Sequence, residues 1–179
     1  MINFRKRHFL SQLTGLAVCS VANGVQARVT PSQSLGPFYP IKLPLDSNAD
    51  LTFVEGKKGT ASGHIVNLSG QVLSENGGFV PRALIEIWQC DAFGAYHHPR
   101  DGGGLDPFFQ GYGKAITDDE GRYRFRTIKP VAYPGRAPHI HLRISSNSKE
   151  LITQIYVRGN RENQNDFLLN SISDETARQ

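Results

Sequence analysis

From about position 60 onward, apolar and polar residues exchange places with a period of two, the signature of half-buried strands. The clearest run is 122–128 (Arg-Tyr-Arg-Phe-Arg-Thr-Ile), where basic and apolar side chains alternate. Side chains on a strand point to opposite faces in turn, so this one presents a wet face and a buried face. Residues 82–90 (Arg-Ala-Leu-Ile-Glu-Ile-Trp-Gln-Cys) are apolar on both faces, as a central strand of a sandwich must be. Further strands are predicted over 61–68, 137–145 and 151–157. Turn chemistry separates them, with Asp-Asp-Glu-Gly at 118–121 and Ser-Ser-Asn-Ser-Lys-Glu at 145–150. No long helical pattern occurs beyond the N-terminal residues. The pattern therefore predicts an all-β fold, an antiparallel β-sandwich over 60–179.

Two stretches lack the alternation. Residues 28–59 are rich in Pro, Gly, Ser and Asp and read as an extended N-terminal arm. Between Asp91 and Gly113 lies a Gly-, His- and Pro-rich insertion. A loop of that length in a compact domain is usually functional.

Residues 1–27 have a different character. A basic cluster (Arg5, Lys6, Arg7), a short apolar stretch and small residues ending at Ala27 have the layout of a cleavable export signal. Residues 6–10 (Lys-Arg-His-Phe-Leu) resemble the twin-arginine export motif with Lys in the first place, and ordinary Sec export fits as well. The apolar part is too short to span a membrane. The expected destination is the periplasm. Cleavage would remove Arg5, Lys6 and Arg7 and lower the formal net charge from +4 to +1, which takes away the main support for nucleic-acid binding. It would leave Cys90 as the one cysteine, with no intrachain disulfide open to it. Cys90, on an apolar strand, reads as a small buried hydrophobe.

Candidate chemistry centres on residues 137–142 (Ala-Pro-His-Ile-His-Leu). On a strand His139 and His141 share one face, while Ile140, Leu142 and Ile144 point to the other, into a core. Two converging imidazoles are half of a metal site; the alternative is a pair of surface histidines. Tyr96 and Tyr133 sit in loops or at strand ends, where a scaffold often carries functional side chains. A strong Lewis acid can deprotonate a phenol, and two phenolates with two imidazoles favour ferric iron over zinc or copper. Taken singly, a Tyr in such a place is far more often an ordinary half-buried aromatic. Tyr112 and Tyr123 read as packing residues, His64 as structural, and His97 and His98 as loop residues near the rim. Residues 118–120 (Asp-Asp-Glu) fit a turn better than a calcium loop.

Seven motifs occur in order: Trp-Gln-Cys-Asp-Ala-Phe-Gly-Ala-Tyr at 88–96, Asp-Pro-Phe-Phe-Gln-Gly at 106–111, Thr-Asp-Asp-Glu-Gly-Arg-Tyr at 117–123, Phe-Arg-Thr-Ile-Lys-Pro at 125–130, Tyr-Pro at 133–134, Pro-His-Ile-His at 138–141 and Leu-Ile-Thr-Gln-Ile-Tyr at 151–156. Together they resemble the intradiol ring-cleavage dioxygenases, most nearly the protocatechuate 3,4-dioxygenase branch. Residues 30–37 (Thr-Pro-Ser-Gln-Ser-Leu-Gly-Pro) resemble that branch's N-terminal arm. The resemblance implies a β-sandwich with non-haem Fe(III), a catechol-type substrate, O2, and a cis,cis-muconate-type product. It assigns the metal to Tyr96, Tyr133, His139 and His141. It gives catalytic roles to Arg136, Gln154 and Tyr133, the last being the ligand that substrate displaces. Ser34, Pro37 and Phe38 fall on arm positions that line the substrate pocket. The chain departs from the branch in holding only Pro134 and Gly135 between Tyr133 and Arg136, and in carrying Ser34 and Phe38 where relatives have Thr and Tyr. The Phe would weaken recognition of a ring carboxylate. Relatives pair two related subunits; here self-association is expected instead. The alternatives are a secreted sandwich that binds without turnover, and a copper protein, disfavoured because Met1 is the sole methionine.

Overall fold

The computed structural model describes residues 2–4 and 29–178. Apart from 2–4, the expected export signal lies outside the described residues. Among the described residues, seven strands form two antiparallel sheets: β1 (Ile2–Phe4), β2 (Ile65–Ser74), β3 (Leu84–Trp88), β4 (Tyr112–Ile116), β5 (Arg122–Ile128), β6 (His139–Ser146) and β7 (Lys149–Tyr156). One sheet has the order β1-β2-β5 and the other β4-β3-β6-β7. A 3-10 turn, Arg161–Asn165, and a single-turn helix α1, Phe167–Asn170, follow β7.

The sheets pack face to face, as the alternation predicted. Val72 and Phe125 from one sheet meet Ile85, Ile87, Leu142 and Ile144 from the other in a core from which water is excluded. Arg122, Arg124 and Arg126 stay on the wet face of β5.

The elements differ from expectation in four places, the first being β1, which falls within the expected export signal and pairs with β2. The strand expected over 61–68 runs from Ile65 to Ser74. Ser69 and Gly70 continue the ladder with β5, where Gly70 faces Tyr123 and leaves room for its ring. β4, which was not expected, starts at the last residues of the insertion and runs on to Ile116; Gly113 and Lys114 weaken its pattern, and pairing with β3 supplies what propensity lacks. The helical pieces at 161–170 are too short to carry a period.

The register places one row of residues across the four-stranded sheet. Tyr112 on β4 faces Trp88 on β3, Trp88 faces His141 on β6, and His141 faces Gln154 on β7. This row lies on the face turned away from the core.

The N-terminal arm seals that face. Gln33 N donates to Ile152 O (2.8 Å) and Thr153 Oγ1 donates to Pro31 O (2.9 Å), so the arm starts along the β7 edge. Further on, Lys114 N donates to Ser47 O (2.9 Å) on the β4 edge. Both edges of the sheet are thereby covered.

Candidate metal centre

Four donor atoms meet over the outer face of the four-stranded sheet. His139 Nε2 lies 3.2 Å from His141 Nε2, 3.4 Å from Tyr96 Oη and 3.5 Å from Tyr133 Oη. His139, His141 and Tyr96 are each at most 2% exposed. Tyr133 is half-buried.

Each donor is aimed by its own local structure. The two histidines share a face because they are two apart on β6. His139 Nδ1 is 2.6 Å from Ala137 O. A carbonyl can only accept, so Nδ1 carries the proton and the Nε2 lone pair faces the centre. Trp88 stacks on the His141 ring at 4.8 Å and 9°. Gly36 backs the same ring from the arm: a Cβ there would stand 3.1 Å from His141 Cε1, and its φ of +76° suits glycine.

Tyr96 ends a loop folded around a buried carboxylate. Asp91 Oδ1 accepts from Phe93 N (2.9 Å) and Ala95 N (3.0 Å), and Asp91 Oδ2 accepts from Asp106 N (2.9 Å). Tyr96 N donates to Asp101 Oδ2 (3.0 Å). These Asx-type bonds pin a segment that has no ladder of its own. Tyr133 and Arg136 are joined by a tight turn in which Arg136 N donates to Tyr133 O (2.9 Å). Pro134 presets the first turn angle and Gly135, at φ +79°, supplies the second. The short Tyr133-to-Arg136 segment is this turn, and it carries the guanidinium back to the phenol, with Arg136 Nη1 3.4 Å from Tyr133 Oη.

Electrostatics favour metal binding over proton binding. Burial lowers the His139 imidazolium to a pKa of about 4, with the bond to Ala137 opposing and Arg136 reinforcing. His141 is held well below its ordinary value by burial, then by His139 and Arg136. Both imidazoles are therefore neutral and available as ligands at neutral pH. Burial raises both phenols, Tyr96 far above its usual range, while the hydrogen bond to Tyr96 and the Arg136 charge partly offset this for Tyr133. A trivalent cation reverses that logic, since it stabilises phenolate directly. The separations of 3.2–3.5 Å from His139 Nε2 bring the other three donors close enough to share one ion with it. Two hard phenolic oxygens and two imidazole nitrogens fit ferric iron.

Beside the donors lies a polar network. Arg136 Nη2 donates to Gln154 Oε1 (2.5 Å) and to Tyr156 Oη (3.2 Å), and Gln154 Nε2 is buried with no hydrogen-bond partner. Gln33 Nε2 donates to Tyr156 Oη (3.2 Å). The structure thus brings Arg136 and Gln154 to the centre along with the four donors. Of the arm residues, Phe38 reaches it, stacking on Tyr96 at 4.6 Å and 17° and meeting Tyr133 edge-on at 6.5 Å. Ser34 and Pro37 are exposed on the arm.

The remaining candidates lie at the margins. His98 packs edge-on against Phe38 at 5.8 Å, whereas His97 turns the other way, against Phe109. Tyr112 Oη donates to the buried Glu86 (2.6 Å), as does Tyr39 Oη (2.7 Å). Tyr123 is in the core. His64 is exposed, just ahead of β2. Cys90 is buried, and desolvation pushes its thiol up to about 11, away from thiolate chemistry.

Sequence reasoning missed Asp166 and Tyr156. Asp166 is fully buried, accepts from Arg136 Nε (3.0 Å) and Ala137 N (2.8 Å), and caps α1 through Leu169 N (2.9 Å). Burial alone raises its carboxyl, but the bonds from Leu169, Ala137 and Arg136 win and hold it below the usual value. The only local signal was an Asp ahead of the short apolar run at 167–169.

A β-sandwich with a two-phenol, two-imidazole centre sealed against one sheet face defines a class, and the comparisons agree with it. The family model Dioxygenase_C (Dioxygenase) matches residues 35–178, and the chain belongs to that family, the intradiol dioxygenases. Its curated relatives include the protocatechuate 3,4-dioxygenase beta chain of Burkholderia cepacia, 43% identical over 127 residues, covering 65% of this chain and 53% of that one. The catechol 1,2-dioxygenase of Candida albicans is 33% identical, covering 73% and 48%. The chain spans about half the length of these two relatives. Among solved structures, the dioxygenase domain of a dioxygenase–carbohydrate-binding fusion from Streptomyces sp. SirexAA-E superposes with a TM-score of 0.63 at 30% identity, covering 78% of this chain and 81% of that one. Catechol 1,2-dioxygenase from Acinetobacter sp. ADP1 gives 0.60 at 30% identity, covering 78% and 50%. Intradiol dioxygenases use non-haem iron. No helix among the described residues is long and apolar enough to cross a membrane.

Proposed function

We propose that this chain is a non-haem Fe(III) intradiol dioxygenase that inserts both atoms of O2 into a catechol-type ring and cleaves it between the hydroxylated carbons, giving a cis,cis-muconate-type product. The observation that carries this is the meeting of Tyr96, Tyr133, His139 and His141 donors at 3.2–3.5 Å from His139 Nε2, with Arg136 alongside. When bound, ferric iron would supply a Lewis acid that lowers the pKa of both catechol hydroxyls and makes the ring reactive toward O2.

The protein's own groups divide the remaining work. Tyr133, half-buried and mounted on a turn, takes up a proton at Oη from one catechol hydroxyl. Tyr96, buried and stacked under Phe38, stays in place. Arg136 Nη1 lies 3.4 Å from Tyr133 Oη, and a preorganised guanidinium there stabilises the negative charge that develops on the ring during reaction. Gln154 Nε2, buried and unpartnered, donates to substrate and fixes the ring's orientation. Phe38 walls the site with an apolar ring and excludes water. That wall suits a catechol without a ring carboxylate. The signal-like residues 1–27 support export, with folding and action in the periplasm as a self-associated enzyme.

The test is colour and oxygen uptake. Iron-loaded protein is expected to be burgundy from tyrosinate-to-iron charge transfer, to show a weaker band in Tyr96→Phe or Tyr133→Phe, and to consume O2 with catechols. A colourless, iron-free protein sinks the reading.

A further inference from the structure

We propose that Asp166 is the positioning residue for Arg136, which makes the C-terminal 161–170 segment part of the ring-cleavage machinery; this rests on the dioxygenase reading above.

Arg136 has a large set of directions open to it, because four rotatable bonds separate its guanidinium from the backbone. A turn of two residues between Tyr133 and Arg136 fixes where the side chain starts, not where it ends. Something must hold the fork in the plane that faces Tyr133 Oη. Asp166 does so from thirty positions further along, through the salt bridge of its Oδ2 to Arg136 Nε at 3.0 Å. The same oxygen accepts from Ala137 N at 2.8 Å, so guanidinium and backbone are pinned to one point.

The carboxylate is itself held at both oxygens. Its other oxygen, Oδ1, accepts from Leu169 N at 2.9 Å and caps α1. The Asp166 side chain is 0% exposed and that of Arg136 11%, so water screens the pair weakly. Phe167, the next residue, lies against the guanidinium with Arg136 Cζ 5.7 Å from the ring centroid. With Nε committed to Asp166, the two Nη groups are left to face Tyr133, Gln154 and Tyr156. One edge of the guanidinium is structural and the other faces the reacting centre.

The experiment compares Asp166→Asn, Asp166→Ser and Asp166→Glu in the full chain. Ser keeps an acceptor for Leu169 N without reaching Arg136, so it isolates the clamp should Asn fold poorly. The proposal expects kcat to fall about tenfold or more in Asn and Ser, with KM within about threefold, since the charge Arg136 offsets develops during reaction. Iron content and the visible band stay at wild-type levels, and Glu recovers part of kcat. In gallium(III)-loaded protein, the Arg136 Nε–H resonance is expected downfield and slow to exchange in wild type, and upfield and fast in Asn and Ser.

Unchanged kcat in both variants of an active enzyme overturns the proposal alone. So does a kcat loss that tracks loss of iron or of melting temperature, which is the mark of a merely structural role. A wild-type protein that cleaves no catechol overturns the dioxygenase reading and the catalytic half of this inference, while the Nε–H signal still decides whether Asp166 holds Arg136.

Discussion

The two faces of the four-stranded sheet come from the same strands, one residue apart, and carry opposite chemistry. On β6, His139 and His141 face the arm while Ile140, Leu142 and Ile144 face the other sheet, and all five are at most 4% exposed. Both faces are dry. The difference lies in what dries them. The core face is covered by a second sheet whose apolar side chains interdigitate with it. The outer face is covered by an arm without a ladder of its own and by loops, and it buries Trp88, Glu86, two imidazoles and Gln154. Apolar burial stabilises at roughly 25 cal/mol per Å2, whereas a polar group buried without a partner costs about 1–3 kcal/mol. The core face therefore holds the fold, and the site face draws on it. Trp88 Nε1, His141 Nδ1 and Gln154 Nε2 are buried there without a hydrogen-bond partner in the protein.

Substitutions that separate the faces test this division. The largest effect is expected for His141→Ala. Removing one donor should lower iron retention and oxygen uptake by more than about 100-fold, beyond the loss caused by an outer-shell partner, with the fold intact by circular dichroism. Full iron occupancy in that variant breaks the comparison. Leu142→Ala, the next residue on the opposite face, should do the reverse. It should cost about 2–5 kcal/mol of stability in denaturant titration, with iron per folded molecule unchanged. Loss of iron from its folded fraction would show that the faces are not independent. The smallest effect is expected for Gly36→Ala. Its positive φ makes alanine costly by about 1–2 kcal/mol, and its Cβ would press on His141 Cε1. A shifted charge-transfer band with a modest fall in melting temperature is the expected result; an unmoved band means that the arm covers the ring without positioning it.

Much of the sandwich was legible in the chain because strands announce themselves locally. The alternation over 122–128 and the double-sided apolar run over 82–90 each lie in one strand, and each needs only its own neighbours to be read. β4 escaped because Gly113 and Lys114 blur a five-residue pattern that only its pairing with β3 rescues. The helical turns at 161–170 escaped for want of length. Family motifs carried the site further than patterning could: Tyr96 and Tyr133 are unremarkable aromatics until a resemblance assigns them, and the structure then brings both phenols beside His139. Asp166 had no such help. Its role depends on Arg136 being thirty residues away in sequence and 3.0 Å away in space.

Local sequence determined which residues of β6 share a face, because the two-residue period of an extended backbone follows from its own dihedral angles. It did not determine which face would be sealed, or by what. That was decided by the tertiary structure, where the arm crosses from the β7 edge to the β4 edge and the Asp166 carboxylate meets the guanidinium of Arg136, thirty residues earlier. Such meetings depend on loop closure and strand register across the whole molecule, and no short window of residues encodes either.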